Sequence, residues 1–207
     1  DIDADSKKII GFYVANENLW PEERRTQYLH GTLDFGIAHG IAGPLALMTY
    51  AAEQDVVVDG QMKAIAKIIS LFNEHTAIKN EIIYWPMILP AELYKQSNAA
   101  DVGSRMSWCY GSIGISCVLY QVNKYLGADS AKYLHNLEQI AKAPWQVYNL
   151  LSPIICHGFA GTMAMFNQIY RETFDEALLP GLYMCLDEIL RLYNPDFLYG
   201  FKNIDYG

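Results

Sequence analysis

"WCYGSIGISCVLYQVNKYLG", residues 108–127, opens on a glycine-punctuated turn and runs into a helix with almost no polar face before stopping near Gly127. A helix that is apolar nearly all round has to be enclosed by other elements. Its opening, Cys-x-Gly-x-x-Gly, is found again in "SPIICHGFAG" at 152–161. "FGIAHGIAG" at 35–43 has the same glycines, with His39 in the place where Tyr110 and His157 stand. Glycine at the mouth of each such helix permits a tight turn and close backbone approach.

Working outward, each apolar helix is followed by a two-faced one. From Pro44, which fits a first helical turn, "PLALMTYAAEQ" reads as a helix, and "DGQMKAIAKIISLFNEHTA" follows with Met62, Ile65, Ile68, Ile69 and Phe72 along one face. "DSAKYLHNLEQIAKA" after the second turn and "LPGLYMCLDEILRLYN" after the third are the amphipathic partners, the last stopped by Pro195. Alternation with a period of roughly forty to seventy residues predicts helix pairs stacked side by side, as in helical solenoids and barrels. The expected class is all-α. Residues 1–20 read as loop with one short helical turn, a helix is expected to start at Pro21, and "KNEIIYWPMILPAELYKQ", broken by Pro86 and Pro90, reads as irregular or briefly extended.

A chain of 207 residues, 52% hydrophobic and 18% charged, is long enough to bury a sizeable core. Its net charge of -8 and the lack of a basic stripe argue against nucleic acid as a partner. No stretch reads as a membrane span, and "DIDADSKKII" is not a secretory signal. Four cysteines at 109, 117, 156 and 185 form no short-range disulfide framework, so a reduced, cytoplasmic protein is expected.

The chemistry concentrates at the turns. Thiolate and imidazole are zinc's usual ligands, and a catalytic site takes three of them and leaves one position open. Cys109, Cys156 and His157 offer that set; adjacent Cys156 and His157 reach one ion only if the backbone turns sharply, and Gly158 follows. The bland alternative is two buried thiols and a capping histidine, and the residues alone leave both readings open. His39 is a fourth ligand, an acid/base or a capped helix-start residue. Arg105 either faces an anion formed in a reaction or pairs with Asp101. Tyr110 and Trp108 either line a pocket beside Cys109 or fill the core. Cys117 and Cys185 read as core; His30, His75 and His135 read as surface or cap residues.

Taken in order and at these separations, "FGIAHGIAG", "SRMSWCYGSIGI" and "CHGFAG" resemble the lanthionine synthetase C family, most of all the stand-alone lantibiotic cyclases of the nisin and subtilin type. The resemblance implies an α/α toroid of inner and outer helices around a single Zn2+. Residues 1–207 would be the C-terminal part of one such cyclase domain. It implies Cys109, Cys156 and His157 as zinc ligands, His39 and Arg105 as active-site residues, and Tyr110 as a residue shaping the site. The implied reaction adds a cysteine thiol of a dehydrated precursor peptide to dehydroalanine or dehydrobutyrine, forming lanthionine or methyllanthionine. A thiol near pKa 8.5 is mostly protonated at neutral pH, and zinc would ionise it.

Two departures stand out. Ile113 occupies a place where the family usually has proline, which should change the stiffness of the turn and not its ligands. An active-site aspartate of the family's N-terminal half has no counterpart, so the remaining half of the protein is an expected partner. A membrane-associated complex of dehydratase and transporter is a further one, with the protein peripheral to the membrane. Other readings compatible with the residues are a zinc hydrolase, a non-catalytic helical scaffold whose structural zinc takes His39 as fourth ligand, and a relative that acts on another thiol substrate.

Overall fold

The computed structural model describes residues 11–95 and 105–204, with the backbone of the strands at 2–4 and 7–9. Three apolar helices, α2 (Ala42–Glu53), α4 (Ser112–Tyr125) and α6 (Phe159–Thr173), each start from one of the glycine turns. They form an inner row in the order α2, α4, α6. An amphipathic helix packs on each: α3 (Gln61–Glu74) on α2, α5 (Ala131–Lys142) on α4 and α7 (Leu179–Leu192) on α6. The paired, two-layer arrangement is the one the alternation of helix types predicts. A short helix α1 (Glu23–Gln27) follows Pro21, also as predicted. Among the described residues no helix is long and apolar enough to cross a membrane.

The middle of the inner row is the most enclosed. Ile113, Ile115, Leu119 and Val122 on α4 are essentially inaccessible, and even Ser112, Ser116 and Asn123 on the same helix are buried. Enclosure of α2 is narrower: Ala42, Leu45, Thr49 and Ala52 are buried, whereas Leu47 and Tyr50 are 68% and 63% exposed. Tyr50 borders the open cleft between the inner helices, together with Cys117, Val118 and Gln121 of α4 and Met165 of α6.

Six short strands accompany the helices among the described residues, and residues 1–20, expected to be loop with one short helical turn, have that turn at Asn16–Asn18 and a strand pair besides. β1 (Ile2–Ala4) pairs antiparallel with β2 (Lys7–Ile9). β4 (Ala77–Lys79) pairs with β5 (Ile82–Tyr84); β5 and the later strand at Ile88–Pro90 fall in the stretch 79–96 expected to be briefly extended, and β4 precedes it but for Lys79. β3 (Thr32–Asp34) and β6 (Ile88–Pro90) pair antiparallel, with Asp34 opposite Ile88, and carry the chain to the first turn.

One polar side chain ties the outer layer to the inner one. Buried Asn136 of α5 accepts from the Ile83 N–H at 2.7 Å and donates to the Ile83 carbonyl and to Ser116 Oγ of α4. A buried amide satisfied on every side fixes the register of the two helices, because sliding either would leave it unpaired. Beside it Trp85, fully buried between Phe72 and Tyr133, donates its indole N–H to the Phe72 carbonyl at 2.9 Å.

One sequence expectation is narrowed here: of the two roles read for His75, surface or cap, the structure gives the cap. His75 ends α3 as its cap residue, yet it is 1% exposed, with Nε2 3.2 Å from the Tyr94 carbonyl and its ring edge against Phe35. Burial lowers its pKa, which favours the neutral ring. Cys117 and Cys185 are core residues as expected. Burial, with Glu172 and Glu188 respectively adding to it, pushes both thiols up to about 12.

Candidate metal centre

The three turns are copies of one another in three dimensions. In each, the first glycine lies against the carbonyl of the residue six places earlier: Gly40 on Asp34, Gly111 on Arg105, Gly158 on Ser152. The second glycine does the same, Gly43 on Ile37, Gly114 on Trp108 and Gly161 on Ile155. A Cβ at any of the six would come within 3.0 Å of backbone oxygen, closer than side chains ever approach. The repeated Gly-x-x-Gly is therefore a packing requirement: the strand entering each helix folds back across the helix mouth. Two side chains just ahead of the first glycine then project from the turn. These are Ala38 and His39, Cys109 and Tyr110, and Cys156 and His157.

Backbone hydrogen bonds stitch the turns together. The Ile37 N–H donates to the Cys109 carbonyl at 2.9 Å, and the Cys109 N–H donates to the Cys156 carbonyl at 3.1 Å. Ordered this way, the mouths of α2, α4 and α6 meet, and Cys109, Cys156 and His157 place one donor atom each within 4.8 Å of one another. Tetrahedral zinc, about 2.3 Å from sulfur and ~2.0 Å from nitrogen, needs donors roughly 3.5 Å apart, so this set fits the ion after a small closure. Burial pushes the Cys109 thiol up, the Ser107 hydroxyl at 3.7 Å opposes this, and the facing Cys156 raises it further. Two thiols so placed repel as thiolates, and a divalent cation between them removes that conflict.

A cleft of about 360 Å³ opens at the same point, lined by Arg24, His39, Met87, Ile88, Arg105, Cys109, Tyr110, Cys156 and His157. Every sequence-predicted site residue lines it except Trp108. The indole faces a second cleft, with Ile37, Ala46 and Val118 between the inner helices, because successive side chains of a tight turn leave it on different sides. His39 is exposed at the rim and its ring stacks on Tyr110, 6.3 Å between centroids and 28° between planes. Arg105 is half-buried and has no ion pair among the described residues; Asp101, its alternative partner, lies outside them. Ile113 is fully buried in the first turn of α4 and does not line this cleft.

Three residues of the site carry no metal-type signature and were not singled out by the sequence. Ser107, fully buried, donates Oγ–H to the Tyr110 carbonyl at 2.6 Å and sits against Cys109. Arg24 of α1 reaches the cleft from outside the repeats. Asp34 Oδ2 accepts from the Tyr110 hydroxyl at 2.6 Å. Asp34 stands where Arg105 and Ser152 stand in the other two turns, a correspondence available from the six-residue spacing to each first glycine.

The four thiols should separate by reactivity. In the folded, metal-free chain a disulfide reagent is expected to titrate no more than Cys156 and Cys109, with half-buried Cys156 first, while Cys117 and Cys185 react only after denaturation. Added zinc should slow the two that react. Four fast thiols in the native protein would show that α4 and α7 do not enclose their cysteines.

Comparison with known proteins returns one consistent answer. The family model described as lanthionine synthetase C-like protein matches residues 4–206. The nisin biosynthesis protein NisC of Lactococcus lactis subsp. lactis is 26% identical over 199 residues, which are 93% of this chain and 47% of that protein. A solved structure of nisin cyclase superposes with a TM-score of 0.78 at 22% identity, covering 94% of this chain and 49% of that one. The chain thus spans about half the length of these relatives, and the structural likeness establishes the fold, an α/α toroid.

Proposed function

The chain belongs to the lanthionine synthetase C-like family, and from that premise we propose that it carries the zinc centre of a thioether-forming peptide cyclase. The substrate is a precursor peptide whose serines and threonines have been dehydrated, and residues 1–207 are the C-terminal part of one toroidal cyclase domain. The observation that carries the proposal is the convergence of Cys109, Cys156 and His157 in a cleft that also holds His39, Arg105 and Tyr110.

Zinc in this donor set would lower the pKa of an incoming peptide thiol and present it as a thiolate, while two protein thiolates keep the centre electron-rich enough for that sulfur to remain a nucleophile. The residues around it handle the other half of the reaction. As sulfur bonds to the β-carbon and the alkene π bond breaks, negative charge moves to the carbonyl oxygen beside the α-carbon. The Arg105 guanidinium lines the same cleft and stabilises that oxygen by charge-assisted hydrogen bonding. A proton must then reach the α-carbon. The His39 imidazole, exposed at the rim, is the group placed to deliver it and to take the next one from solvent. Tyr110 fixes the plane of that ring by stacking. Atoms balance: the thiol proton is lost, one proton is gained at carbon, and peptide mass does not change.

The test combines metal and substrate. One zinc per chain is expected, and a cobalt-substituted sample should change its visible spectrum when a cysteine peptide is added, because the fourth position is open. A dehydrated peptide should then lose its free thiol with no change in mass. A cobalt spectrum indifferent to thiol would mean a closed structural site with His39 as fourth ligand, and would sink the cyclase reading.

A further inference from the structure

We propose that Asp34 is a positioning residue of this site, which holds the Tyr110 ring in the cleft beside His39 through the Tyr110 hydroxyl. The inference rests on the cyclase reading for its chemical meaning, but its structural content stands apart from it.

The two carboxylate oxygens have separate duties. Oδ1 accepts from the Gly36 N–H at 2.8 Å and closes the turn that leads to His39. Oδ2 accepts from the Tyr110 hydroxyl at 2.6 Å, across to the second turn. The Asp34 backbone is fixed as well: its carbonyl accepts from the Ile41 N–H, and its residue pairs with Ile88, which itself lines the cleft. With the backbone held at two points and Oδ1 at a third, the second oxygen has one available direction, and Tyr110 lies along it.

The ring is held from its other sides too. A Cβ at Gly36 would fall within 3.0 Å of the Tyr110 ring, so the ring rests directly on glycine backbone. His39 covers it in a stack. The hydroxyl bond is thus the remaining constraint on tilt. Burial raises the Asp34 pKa although Tyr110, Gly36 and the nearby charges of His39 and Arg24 oppose the rise. Keeping a carboxyl group in such a place has an energetic cost, and the loop contact alone requires only one of its oxygens. In the register of the turns Asp34 is the counterpart of Arg105. One backbone position thus supplies a substrate-facing cation in one copy and an anchor for the site's tyrosine in another.

Asp34→Asn separates the duties: the amide retains an oxygen for Gly36, but the second position no longer accepts, so the charge-assisted bond donated by the Tyr110 hydroxyl is lost and that hydroxyl has to turn and accept instead. 3-Fluorotyrosine introduced at position 110 alone reports the ring directly by fluorine NMR. In the zinc-loaded full chain the resonance is expected to be single and sharp, and in Asp34→Asn to shift and broaden or split. Rates of thioether closure should fall about tenfold or more in Asp34→Asn and in Tyr110→Phe, with zinc stoichiometry unchanged. The double variant should be no slower than the slower single one, because both remove the same contact. An unmoved fluorine resonance overturns the proposal, and so do single-variant effects that multiply. A zinc-loaded chain that closes no ring even when combined with the remaining half of its domain sinks the cyclase reading instead, while the fluorine spectra still decide whether Asp34 holds Tyr110.

Discussion

Cys156→Ala is expected to abolish tight zinc binding and leave the helical fold intact. Tight protein zinc sites with four ligands bind with about 10–16 kcal/mol, so each ligand is worth roughly 3 kcal/mol. Losing one therefore weakens binding about a hundredfold or more. Cys156 is the cleaner of the two cysteines to remove. Its side chain is half-buried, and its structural duty, accepting the Cys109 N–H, belongs to the backbone carbonyl, which alanine retains. Cys109 is 4% exposed and packed against Ser107, so alanine there also opens a void. Competition with a chromophoric chelator measures the affinity, and far-ultraviolet circular dichroism checks the fold. A fall of less than tenfold would show that Cys156 does not ligate.

The second large effect needs no metal. Gly111 has φ +114° and ψ 179°, a conformation open in practice to glycine alone, and a Cβ there would drive into the Arg105 carbonyl. Gly111→Ala should cost at least about 3 kcal/mol, combining torsional strain with a backbone clash that no rotamer relieves. In a domain of this size that lowers the melting temperature by roughly 6–12 °C. Gly127→Ala is the matched control: its φ is +64°, but nothing lies within 4 Å of the added carbon, so about 1 kcal/mol is expected there. Because Gly111 joins Arg105 and Cys109 in one turn, the Gly111 variant should also bind zinc more weakly, and the control should not. Equal melting temperatures for the two would mean that the close approach at the helix mouth is not what constrains the turn.

How much was legible in the sequence follows from where information is local. The helix alternation could be read because periodicity spans many residues, and α3, α5 and α7 carry it strongly. Three-residue strands have no period to detect, so although β6 falls in the stretch expected to be briefly extended, β3 and the pairing that delivers Asp34 to the first turn left no trace. Exposure along α2 was illegible for a different reason: its sequence is as apolar as that of α4, and only the way its neighbours pack, with an open cleft beside Tyr50, decides which side meets water. Among site residues, the cysteines and histidines announce themselves by type. Asp34 and Ser107 act through hydrogen bonds to Tyr110 and Cys109, and nothing in an isolated aspartate or serine signals that partner. Trp108 shows the converse error, in which adjacency to Cys109 suggested a shared cavity that the turn geometry divides.

The stitched turns behave as a socket with interchangeable fittings. Glycine Cα atoms and main-chain amides do most of the holding, to which, of the side chains at the matching places, Asp34 adds a bond to the Gly36 N–H. Three copies of one backbone accordingly display carboxylate, guanidinium and hydroxyl at Asp34, Arg105 and Ser152, and alanine or thiol, then imidazole or phenol, next to the glycine. Reactivity in such a frame can be rewritten one substitution at a time while its mechanical support stays the same. For protein engineering, the display positions other than Asp34 are the ones to randomise, and Asp34 and the six glycines are the ones to leave alone.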